Sequence, residues 1–163
     1  MIRNLIFLIS ALALTACGDD QPPKAAAASA SRLLAAAIAR DRVAFEAEID
    51  RPAVRDDLRR QVADLARGHA LDVDGGPSEL ALDRMISPGA LRVVRSGAGV
   101  ALAKAPSAAD LSRQMRVVDR RHVCLHGVGA ARRCVLTFAK AKGGWRLVGM
   151  QAMTHKIEIA AAG

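Results

Sequence analysis

Cys134-Val135-Leu136-Thr137-Phe138-Ala139-Lys140, followed by Ala141-Lys142-Gly143-Gly144 and then Trp145-Arg146-Leu147-Val148, is the stretch on which the fold turns. Side chains alternate between faces along a strand, so Cys134, Leu136 and Phe138 share one face, and Trp145, Leu147 and Met153 share a side of the next. The glycine-bearing segment between them reads as a turn, and the pair as a β-hairpin. The β-branched, alternating texture begins at Met115, with a second turn at Gly127 to Ala131, which predicts three or four antiparallel strands.

Upstream of Met115 the period changes from two to 3.6. Leu33, Leu34, Ala37 and Ile38 recur at helical spacing, and Asp41 can cap a further turn carrying Val43, Phe45 and Ile49, with a bend near Arg40 and Asp41. Asp50 before Pro52 is a cap-then-proline start, and Val54, Leu58, Val62 and Leu65 form one apolar stripe that ends at Gly68. On its other face, Asp56 with Arg60 and Arg60 with Asp64 are four apart and compensate one another. Asp72-Val73-Asp74-Gly75-Gly76-Pro77 is a turn; it fails as a calcium loop because Pro77 stands where glycine is required and Asp83 where glutamate is. A short helix is expected from Ser78 to Ile86. Another is expected from Ser87-Pro88 to Gly97 with Leu91 and Val94 inward, before a loop through Pro106. The order predicts an α+β fold in which N-terminal helices pack on a C-terminal three- to four-stranded antiparallel sheet.

The chain opens with Arg3, an apolar run from Leu5 to Leu14, and Leu14-Thr15-Ala16-Cys17, which is the layout of an export signal and too short to span a bilayer. This segment resembles a bacterial lipoprotein signal. The resemblance implies cleavage before Cys17, a thioether-linked diacylglycerol on it, and an amino group acylated by a chain such as palmitate. Residues 1–16 are then the signal peptide and residues 17–30 a lipidated, flexible tether. Gly18 to Lys24 would be extended over about 20 Å, and the Ala25 to Ala30 run merges into the helix that follows. Residues 31–155 form a single domain and residues 156–163 a tail. Gly18 is not the aspartate associated with inner-membrane retention, which points to the outer membrane with the domain facing the periplasm.

Without Arg3, 23 basic residues face 16 acidic ones, a balance near +7 that suits anionic lipid or envelope polysaccharide phosphates. Nineteen of the 24 basic residues are arginine and 34 residues are alanine, a bias that GC-rich codon usage alone would produce. Export and the scarcity of aromatic residues, Phe7, Phe45, Phe138 and Trp145, argue against nucleic acid.

Ala39-Arg40-Asp41-Arg42-Val43-Ala44-Phe45-Glu46, continued by Ile49-Asp50-Arg51-Pro52-Ala53-Val54-Arg55-Asp56-Asp57-Leu58, together with Phe138-Ala139-Lys140 and Gly144-Trp145-Arg146-Leu147-Val148, resembles an uncharacterised bacterial family, domain of unknown function 2939. The resemblance spans roughly residues 31–150. It implies no activity and no catalytic residues. Helices first and a curved sheet afterwards are also similar to the cone-like folds of the nuclear transport factor two type, an analogy of fold and not of function.

His122, Cys124 and His126 alternate on one strand, with Cys134 across the hairpin, a set that could hold zinc or copper as a metal-binding protein or enzyme. An oxidising periplasm instead favours a Cys124–Cys134 disulfide, which leaves metal and cofactor sites unfilled by any other set. Ser112, Asp119 and His122 could be imagined as a triad, yet the chain has no Gly-x-Ser-x-Gly elbow, and Glu46 and Glu48 point to different faces of their helix. These residues predict a lipid-anchored envelope protein that binds or assembles and does not catalyse. The alternatives are a carrier of a small apolar ligand between helices and sheet, and the metal site just named.

Overall fold

The computed structural model describes residues 21–69, 76–128, 133–152 and 156–159. It is α+β, with helices first and an antiparallel sheet afterwards. Helix α1, Pro22–Ala39, begins with two prolines in its first turn, where a missing N–H costs nothing and the fixed φ suits the helix. It ends at Arg40, whose left-handed backbone (φ 57°) lets its N–H bond the Ala36 and Ala37 carbonyls. The stretch expected to stay extended through Lys24 is thus helical from Pro22 on. Residues 22–30 belong to this helix, and Ala26, Ala27, Ser29 and Ala30 are buried, because alanine is the best helix former and its small side chain lets α1 lie close to its neighbours.

The expected bend follows. Asp41 caps helix α2, Arg42–Ala47, by accepting from the Ala44 N–H, and Asp50 caps helix α3, Arg51–Gly68, by accepting from the Ala53 N–H. Only the first half of the α3 stripe is used: Val54 and Leu58 are buried, whereas Leu65 is 39% exposed. The charges of α3 pair at a spacing of three and not four, Asp56 with Arg59, Asp57 with Arg60 and Asp64 with Arg67. The aspartate-glycine turn expected at residues 72–77 lies largely outside the described residues.

Ser78 caps helix α4, Glu79–Met85. The helix expected after Ser87 is a correction: only a 3₁₀ turn, Pro88–Ala90, forms before strand β1, Arg92–Arg95. Val93 and Val94 are β-branched and buried, and the strand pairs in parallel with β6, Lys156–Ile159, so residues expected as a tail are part of the sheet structure. Local periodicity cannot reveal a partner more than sixty residues away.

Helix α5, Ala108–Ser112, leads into the main sheet: β2, Met115–Val117; β3, His122–His126; β4, Cys134–Ala141; and β5, Gly144–Met150, all antiparallel in that order. Its inner face meets α1. Leu33, Leu34, Leu125, Leu136, Phe138 and Leu147 are each at most 1% exposed and fill the layer between them, which is where a carrier would place its cavity. A polar chain fastens the two: Arg32 bonds Glu48 and the Ser29 hydroxyl, and that hydroxyl donates to the Trp145 carbonyl at 2.6 Å.

The β5 edge of the sheet is covered, as exposed edges invite unwanted pairing, whereas on the β2 edge, among the described residues, only local bonds of Arg116 occupy backbone carbonyls. On β5, the Leu147 N–H donates to the Glu48 carbonyl and the Asp50 N–H to the Leu147 carbonyl. Further along, Gln61 imitates a neighbouring strand. Its Nε2 donates to the Met150 carbonyl at 2.8 Å and its Oε1 accepts from the Ala152 N–H at 2.9 Å. On β2, Arg116 donates from Nη1 to the Arg113 and Met115 carbonyls.

Candidate functional site

The chemistry expected of β3 and β4 sits on the outer face of the sheet, and two bulges put it there. Leu125 pairs with Leu136 while His126 pairs with Cys134, so Val135 has no partner on β3. That extra residue turns Cys134 away from the side of Leu136 and Phe138, correcting the expectation that the three share a face. On the next strand Phe138 pairs with Leu147 and Thr137 with Gly149, which leaves Val148 as the second extra residue. Cys124, Cys134, Thr137 and Gly149 consequently gather on the outer face.

Cys124 and Cys134 form a disulfide with their Cα atoms 5.6 Å apart. They are not direct cross-strand partners, since Cys124 faces Thr137 and Cys134 faces His126; the bond runs diagonally across the bulge. The Thr137 hydroxyl lies 3.2 Å from the Cys134 sulfur. With both sulfurs in the bond, neither is available as a thiolate ligand. His122 and His126, four residues apart on one strand, stand about 13 Å apart at their backbones, too far to share an ion with bonds near 2 Å. Among the described residues, no three His, Cys, Asp or Glu side chains converge at metal-binding spacing.

The disulfide borders an open groove of about 370 Å³, whose other walls are Asp57 and Gln61 of α3, Thr137, Arg133 and Met150. Asp57 is engaged, its Oδ2 accepting from the Gln61 amide at 2.7 Å and the Met150 N–H at 3.2 Å. Gly149 makes the approach possible. A Cβ there would come within 2.8 Å of Asp57 Oδ2 and 3.1 Å of its Cγ. The groove offers hydrogen-bonding groups, among them the Thr137 hydroxyl and the Asp57 carboxylate, and one cation, Arg133.

The remaining candidates are scattered. Asp119 and His122 do meet, Nδ1 to Oδ2 at 2.8 Å, and donation from the Arg121 N–H, then the imidazole, holds the Asp119 carboxyl below its usual range. Ser112 does not join them, because its hydroxyl donates to the Ala109 carbonyl. Glu46 pairs with Arg51 and Glu48 with Arg32, so each carboxylate has a structural partner of its own. Cys17, the expected lipid-attachment residue, lies outside the described residues. Sequence reasoning missed the roles of Asp57, Gln61 and Gly149, which no local pattern marks. No family model, curated protein or solved structure matches this chain.

Proposed function

We propose that the protein is a lipid-anchored, non-enzymatic module of the bacterial cell envelope that faces the periplasm, with the outer membrane preferred, and binds or helps assemble envelope components. The Cys124–Cys134 disulfide carries this reading, since such bonds persist in oxidising compartments and Leu14-Thr15-Ala16-Cys17 addresses the chain to one. Membrane attachment through Cys17 needs no spanning helix, and among the described residues no helix is long and apolar enough to cross a membrane. The filled layer between α1 and the sheet favours action at the surface over an enclosed ligand.

Intact-mass analysis of the membrane fraction is the test. It should show a chain that begins at Cys17 and carries acyl mass, and Cys17→Ser should release or misprocess it. An unmodified chain that starts elsewhere and is soluble in the periplasm overturns the reading.

A further inference from the structure

The positive charge of this protein is unevenly divided. Residues 41–110 hold ten basic and twelve acidic residues, whereas residues 111–163 hold ten basic against two acidic. In the helical stretch Arg51, Arg55, Arg59, Arg60 and Arg67 each reach a carboxylate. One end of the sheet differs.

There the β2–β3 turn carries Arg120 and Arg121, and the β4–β5 turn carries Lys140, Lys142 and Arg146 around it. The turns touch, the Lys140 N–H donating to the Arg121 carbonyl at 3.0 Å. All five side chains are exposed, and none of them forms an ion pair among the described residues. Asp119 is the one acidic residue in these turns, and it is held by its neighbours' N–H groups and His122. Val117 and Val118, 55% and 61% exposed, stand beside them. Unpaired cations with exposed aliphatic side chains suit a layer of phosphate headgroups over acyl chains.

The start of α1 lies at the same end. Ser29 bonds the Trp145 carbonyl, Arg32 bonds Glu48 beside Leu147, and Arg40 at the far end of α1 approaches Gly89. Followed backwards from Ser29, α1 therefore runs toward the β4–β5 turn. Four residues separate Pro22 from Cys17, a span of at most about 17 Å.

We infer that this hairpin end is a docking face for anionic phospholipid headgroups, held against the bilayer by the short link to Cys17; its orientation rests on the proposed anchor. The charge then acts as a face, because a headgroup potential decays within about 8 Å at physiological ionic strength and reaches the near end of the domain only.

Trp145, the single tryptophan, reports from that end. The acylated protein, beginning at Cys17, is reconstituted in phosphatidylethanolamine vesicles with roughly one-third brominated phosphatidylglycerol, and in brominated phosphatidylcholine vesicles. Trp145 emission should be quenched in the anionic vesicles, and quenching should fall at least about fivefold in Lys140→Glu/Lys142→Glu and in about 0.5 M salt. The pair Arg42→Glu/Arg84→Glu, an equal charge change on the helical half, should leave it unaltered. Quenching indifferent to headgroup or salt, equal loss in the control pair, or vesicle-bound protein with unquenched Trp145 overturns the inference. A failed anchor is distinct: the chain then carries no acyl mass and does not float with zwitterionic vesicles. In that case quenching by added anionic vesicles still supports the face, and its absence refutes it.

Discussion

The helical half and the sheet half of this protein use arginine in opposite ways. On α3 and α4 the guanidinium groups are consumed internally: Asp83 takes Arg51 at 2.9 Å and Arg55 at 2.5 Å, while Glu79 takes Arg55 and Arg59. At the hairpin end, five cations face outward and form no ion pair among the described residues, the nearby Asp119 being held by backbone N–H groups and His122. Composition averages the two and shows only a basic chain; the contrast shows that charge is paired internally in one half and, among the described residues, left without ion pairs at one end of the other.

The halves are joined by an apolar layer, and disrupting it should have the largest effect. Leu58 is fully buried on α3, and Leu58→Ala should cost about 2–5 kcal/mol in denaturant unfolding, as truncation in a packed core does. A loss below about 1 kcal/mol would mean that the site collapses or is already loose.

Next comes the disulfide, which belongs to the sheet half alone. Replacing Cys124 and Cys134 by alanine should cost roughly 2–3 kcal/mol, since the bond closes a loop of about eleven residues. Unfolding of the double variant at the same midpoint as the native chain would show that the bond adds no stability.

The smallest effect concerns the paired charges. Donation from Arg55, then from Arg51, holds the Asp83 carboxyl below its usual range. A depressed pKa contributes stability that is present above the unfolded value and lost as pH falls through the folded one, so the loss should appear below about pH 4. Thermal melts of the native chain should decline more steeply there than those of Asp83→Asn. Identical slopes would show the network to be energetically silent, as many exposed pairs are.

Much of the helical half was legible because its signals are local. Asp41, Asp50 and Ser78 each cap a helix through an N–H three residues on, a bond contained within the motif itself. The same locality misled at both ends: the paired prolines after Gln21 read as an extended tether although they open a helix, and Ser87-Pro88 read as a helix start although a distant strand partner decided it. Of the candidate site, Cys124 with Cys134 was legible from hairpin spacing. Asp57, Gln61 and Gly149 were not, because a helix residue completing the edge of a strand some ninety residues later leaves no periodic trace.

The sequence by itself determined that helices precede an antiparallel sheet, the helix caps and the disulfide partners, all of which depend on neighbours along the chain. Tertiary structure alone decided which face Cys134 takes, how the β5 edge of the sheet closes, and that the unpaired cations collect at one end. The reason is geometric: a single bulge residue such as Val135 reverses every facing beyond it, and whether a cation is paired depends on what the fold brings within a few ångströms.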